Sequence, residues 1–124
     1  MIGSTRQVRV HAYRQPTDLR KGFDGLSALV TRDLREDPLS GDLFLFTNRT
    51  RKRAKVLLWD GTGLCIYAKR LEQGCFACLW REGNGKALRL TLNELQLFLE
   101  GSMLVGRVQV SPPTFIQKPL ARRV

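Results

Sequence analysis

The sequence predicts an α+β fold: an antiparallel meander sheet of about five to six strands with two amphipathic helices packed on one face. Three observations carry that reading. Short apolar runs alternate with a period of two, as half-buried strands do. Two other segments repeat their apolar residues at helical spacing. The central strands are separated by connections too short for any pairing but antiparallel, one of them the Gly-bearing 61–63.

The elements follow in order. In "QVRVHAY", Val8, Val10 and Ala12 share one side of a strand, and Arg9, His11 and Tyr13 the other. Pro16, Thr17, Asp18 and Gly22 are turn or helix-entry residues, after which Phe23, Leu26, Leu29, Val30 and Leu34 make one buried helical stripe. Pro38 and Gly41 end that helix. Residues 43–47, 54–60 and 64–70 are three strands, the last two joined by Gly61, Thr62 and Gly63 with a residue at positive φ. "CFACLW" and "KALRLT" are read as strands flanking a second turn, "REGNG". Thr91 then caps a helix, with Glu94 at capping-box spacing and Gly101 as its stop.

A chain of 124 residues holds one core rather than two, and 43% hydrophobic with 26% charged residues excludes wholesale disorder. Residues 1–101 are read as one domain and 102–124 as a basic, proline-containing tail. No apolar run is long enough to span a bilayer, and "MIGSTRQVRV" lacks the hydrophobic stretch of a signal peptide, so a cytoplasmic protein without membrane partners is expected.

Charge gives the functional lead. The balance is +10, from 21 Lys and Arg against 11 Asp and Glu, and it points to a polyanionic partner. It is also concentrated: "NRTRKRAK" places Arg49, Arg51, Lys52, Arg53 and Lys55 on the tip of a hairpin with no carboxylate among them. A projecting tip keeps such charges hydrated, and a cluster of this kind suits phosphate contacts. Strand periodicity adds a second surface, with Lys55, Leu57 and Trp59 beside Cys65, Tyr67 and Lys69, while Val56, Leu58, Leu64, Ile66 and Ala68 form the core side. Trp59 and Tyr67 among cations would make a stacking platform for single-stranded nucleic acid, with Arg9, His11 and Tyr13 alongside. The alternative is a packing surface covered by the tail or by a partner subunit.

Other chemistries find less support. Cys75 and Cys78 form a C-x-x-C pair, but only Cys65 and His11 could complete a zinc site, so the three cysteines are read as small hydrophobic fillers and no metal or cofactor is expected. The odd count argues against a disulfide framework. His11 has no nucleophile at a motif spacing. Asp18, Asp24 and Asp60 are the carboxylates nearest the cations, yet Asp60 suits a turn and Asp24 a helix start. The chain is therefore read as not an enzyme.

The segments "PTDLRKGFDGLSALV", "DPLSGDLFLFTNRTRKRAKVLLWDGTGLCIYAKRLEQGCF" and "LTLNELQLFLEG", in this order, resemble one family. It is the TnpB-type accessory protein from the second reading frame of bacterial insertion sequence sixty-six elements, not the RNA-guided nuclease of the same name. The resemblance runs from Tyr13 to Gly101 and falls on Asp18, Arg20, Lys21, Gly22, Asp24, Gly25 and Leu26, then Asp37, Pro38, Ser40 and Gly41. It continues on Asn48, Arg49, Arg53, Lys55, Trp59, Asp60 and Gly61, and on Lys69, Arg70, Leu71 and Glu72. Leu58 stands where relatives often have an aromatic residue, and "CFACLW" also departs from the family pattern. The resemblance implies a role in transposition beside a separate transposase that performs the strand chemistry. The expectation is an accessory factor that binds DNA through Arg49, Arg51, Lys52, Arg53 and Lys55, extended by Arg20, Lys21, Lys69 and Arg70, with Trp59 and Tyr67 engaged on opened strands. The competing expectation is an adaptor whose cations dock an acidic surface of the transposase without touching DNA.

Overall fold

A computed structural model gives the structure and describes residues 7–80 and 85–101. The tail, 102–124, and most of the "REGNG" turn lie outside the described residues. Among the described residues there are five strands and two α-helices: β1 (Val10–Tyr13), α1 (Phe23–Leu29), β2 (Leu43–Thr47), β3 (Arg53–Trp59), β4 (Leu64–Arg70), β5 (Ala87–Leu90) and α2 (Leu92–Leu99). α1 runs straight into a π-helical turn, Val30–Leu34, which ends at Arg35 in the left-handed conformation, φ 56°.

The sheet order is β4-β3-β2-β1-β5, and the sheet is mixed rather than purely antiparallel. β2, β3 and β4 form the expected meander, but β1 lies parallel to β2, with Val10 opposite Leu43 and Ala12 opposite Leu45. The long connection carrying α1 returns the chain to the start of the sheet, which is what parallel pairing requires. β5 closes the other side of β1 antiparallel, pairing Val10 with Leu90. "CFACLW" is not a strand: residues 75–78 are irregular, and Phe76 and Leu79 enter the core as buried plugs.

Two cores follow from strand alternation, so the helices do not share a face. Val10, Ala12, Leu45, Ala54, Val56 and Leu90 point to one side and pack with Leu95 and Phe98 of α2 and with Phe76 and Leu79. Tyr13, Phe44, Phe46 and Leu57 point to the other and pack with Leu26, Val30 and Leu34. Phe23, the first residue of the expected helical stripe, is instead half-exposed at 49%. At α2 the capping box forms as read: Glu94 N–H donates to Thr91 Oγ1 (3.0 Å), and Thr91 N–H donates to Glu94 Oε1 (2.9 Å).

Candidate nucleic-acid interface

The basic turn is built on Asn48. Its side-chain oxygen accepts from Lys52 N–H and Arg53 N–H, both at 3.1 Å, and Arg51 N–H donates to its backbone carbonyl (3.0 Å). Arg51 sits at φ 61°, a conformation unusual for a residue with a side chain. That twist divides the cations. Arg51 donates from Nη1 to Phe76 O (3.1 Å), while its own carbonyl accepts from Phe76 N–H (2.7 Å). Lys52 donates from Nζ to Gly74 O (3.1 Å), and Leu71 N–H returns a bond to Lys52 O (2.8 Å). These two cations staple the irregular 71–76 segment to the hairpin. Arg49 and Arg53 are exposed, and neither side chain has a partner among the described residues.

Several other candidates are also committed to backbone carbonyls. Lys55 Nζ donates to Lys21 O (3.0 Å) and fixes the entry to α1. Lys69 Nζ donates to Leu99 O (2.7 Å), placing positive charge at the carboxyl end of α2, where the helix dipole favours it. Arg20 is held by Asp18 in two-pronged contact (Nε to Oδ1 2.9 Å, Nη2 to Oδ2 2.7 Å), and Arg70 by Glu72 (3.0 Å). The Arg20 guanidinium holds the Asp18 carboxyl well below the usual carboxylate range.

A groove runs between the 16–20 segment and the basic turn. Thr17 N–H donates to Thr47 O (2.9 Å), which fastens the outer wall to the end of β2. The groove encloses about 680 Å³ and is lined by Arg20, Arg49 and Arg53, with Asp18 the only acid. A second hollow of about 410 Å³ shares Leu19 and Arg53 with it and adds Lys55, Lys69, Arg70 and Glu72. Together they present six cations against two carboxylates, each already bound to an arginine. Arg53 and Arg70 are also direct cross-strand partners. Like charges directly opposite one another are destabilising, and an anion between them would relieve the repulsion.

The stacking platform does not form. Trp59 pairs with Leu64, and Tyr67 with Val56, so each odd-numbered residue of β3 faces an even-numbered residue of β4. The Gly61–Gly63 turn spaces the strands one residue further apart than the platform required, and such a slip turns every side chain over. Trp59 and Lys55 therefore lie on the α1 side, Tyr67, Cys65 and Lys69 on the α2 side, and Leu64 and Ile66 pack against the α1-side core. Tyr67 is 51% exposed, while Trp59 is half-buried.

His11 and Tyr13, expected on an open face, are buried. His11 stacks on Phe44 (centroids 5.0 Å apart), and its Nε2 shares a 3.0 Å hydrogen bond with Asp42. Tyr13 donates to Asp33 Oδ2 (2.5 Å); burial first, and then that bond and the Asp33 charge, push its phenol up to about 12. Glu36 brings a third ligating atom within 4.8 Å of the His11–Asp42 pair, so the metal-ligating types that converge among the described residues are His11 and carboxylates, not the cysteines. Cys65 donates its thiol to Asp60 (3.5 Å); Asp60 also accepts from Thr62 N–H (2.9 Å) and Gly63 N–H (3.0 Å), and these bonds lower its carboxyl to about 2.

The geometry can be set beside known proteins. The profile of the family described as IS66 Orf2 like protein matches residues 8–108. The chain belongs to that family. Membership associates it with an accessory role in transposition. The chain is similar to Uncharacterized protein y4jC of Sinorhizobium fredii, 37% identical over 116 residues, covering 92% of this chain and 97% of that one. It is also similar to Uncharacterized protein y4hO of the same organism, 37% identical over 101 residues, covering 82% and 86% respectively. No solved structure matches it. Among the described residues no helix is long and apolar enough to cross a membrane.

Of the residues proposed from sequence, the hollows gather Arg20, Arg49, Arg53, Lys55, Lys69 and Arg70. Arg51, Lys52, Trp59 and Tyr67 line neither hollow, and neither does Lys21. The anchoring role of Phe76 was missed. An arginine reaching a carbonyl 25 positions away leaves no local pattern to read.

Proposed function

We propose that this member of the IS66 Orf2-like family is a non-enzymatic accessory factor that holds DNA by its phosphates in the groove between the 16–20 segment and the basic turn and in the second hollow that joins it at Arg53. The observation that carries this reading is the Arg53–Arg70 cross-strand pair, with Arg49 and Arg20 beside it. The contact is to duplex backbone rather than to bases, because Trp59 and Tyr67 lie on opposite faces and offer no shared stacking surface. Support for a non-enzymatic role comes from the carboxylates: Asp18 is occupied by Arg20, and Asp60 by its turn.

A second reading is favoured by those same ion pairs. Arg20 and Arg70 already bind carboxylates, so the groove and the adjoining hollow would accept acidic side chains of a transposase, making the protein an adaptor. Fluorescence anisotropy on labelled duplex, titrated with salt, separates the two. Changing Arg49, Arg53 and Arg70 to serine should lower the log–log salt slope by roughly two to three, at about 0.9 for each phosphate no longer neutralised. Equal slopes for the wild type and this variant refute the DNA reading and leave the adaptor.

A further inference from the structure

We infer that β4 is a self-association edge: two copies of the chain pair β4 against β4, antiparallel, and join their sheets. This goes beyond the groove and does not depend on it. β4 is an end strand of the sheet, and its seven residues pair with β3 in unbroken register without Gly, Pro or bulge. The phase of that ladder is fixed at both ends, because Asp60 N–H bonds Gly63 O and Leu71 N–H bonds Lys52 O. Residues 65, 67 and 69 therefore turn their backbone groups inward to β3, and Leu64, Ile66, Ala68 and Arg70 turn theirs outward. No described strand receives the outward groups.

The opposite edge is protected differently. β5 has four residues, with Lys86 just before it and exposed Arg89 within it, the short, charged edge that discourages pairing. β4 has no charge from Leu64 to Ala68. Leu64 and Ile66 are half-exposed despite packing on the α1-side core, and Tyr67 is 51% exposed on the other face. A neighbouring strand would cover apolar surface on both sides at once.

Charge placement selects the occupant. Lys69 and Arg70 stand at one end of β4, and the Asp60 carboxylate stands beyond the other. Antiparallel self-pairing sets the cations of each copy toward the Asp60 turn of its partner, whereas parallel pairing would stack cation on cation. A two-fold axis through Tyr67 uses the outward groups of Ile66 and Ala68 reciprocally. It also brings the two Tyr67 rings together at a closely spaced, non-hydrogen-bonded position.

Sedimentation velocity on the full chain over a concentration series, at high salt to screen net repulsion, tests this. The wild type should shift from monomer to dimer mass. Ala68→Pro removes an outward N–H from an exposed edge position without touching the inner ladder, and should raise the dimer Kd by about tenfold or more with the circular dichroism unchanged. Tyr67→Asp, which opposes like charges across the axis, should also give monomer and decides the matter if the proline variant fails to fold. A wild type that stays monomeric throughout overturns the inference, as does a dimer that persists in a folded variant.

Discussion

Arg49 and Arg53 differ from Arg51 and Lys52 in almost nothing a composition count registers, yet the turn gives the two pairs separate work. The second pair is spent on carbonyls of Gly74 and Phe76 and closes the structure; the first stands in water beside a groove. Charge density alone therefore overstates an interface. A cation held in place by its own protein's carbonyls is less free to reach a phosphate, and one opposed by a like charge has more to gain from one.

The anchored pair rests on Phe76. Phe76 is fully buried and stacks on Phe98 with ring centroids 5.1 Å apart, so Phe76→Ala should cost about 3–5 kcal/mol in urea denaturation and release the anchor of Arg51. Arg51→Ser should cost about 1–2 kcal/mol by the same measurement, from the loss of a partly buried charged hydrogen bond, while leaving the salt slope of DNA binding where it was. Arg53→Glu sharpens the contrast by reversing the sign. It places a carboxylate opposite Arg70 and should raise stability by about 0.5 kcal/mol while weakening DNA binding.

The smallest effect lies at the far end of the same hairpin, where no cation competes. The Asp60 carboxyl is lowered to about 2, beneath its unfolded value near 3.9, so its support of the turn is whole above that value and is lost as pH falls through about 2. The Thr62 and Gly63 amide resonances should titrate in that window in the wild type, and not in Asp60→Asn.

The sequence made local features legible because each has a local cause. The Thr91 capping box, the Gly61 turn with its φ of 110° and the meander of β2 to β4 all arose where residues a few positions apart determine geometry. Three features escaped for complementary reasons. The connection through α1 is long enough to permit either direction for β1, so alternation could not reveal the parallel pairing. The parity of β3 against β4 depends on one residue in a turn, and the stacking platform rested on the wrong count. At the site, nothing nearby in sequence distinguishes Arg49 and Arg53 from Arg51 and Lys52. Their difference comes from residues 74 and 76 and from a left-handed backbone more often marked by Gly or Asn.

The position of β1 has a consequence for how the chain comes together in time. β2, β3 and β4 are neighbours in sequence as well as in space and can associate as soon as they are synthesised. β1 is made before β2, must find it across the α1 crossover and then waits for β5, almost the last described element, before both its edges are paired. Its four residues, all buried in the folded protein, are fully covered only once β5 is in place. The closing of β5 over β1 joins the strands most distant in sequence, the kind of contact that forms slowly because a long loop must be closed first.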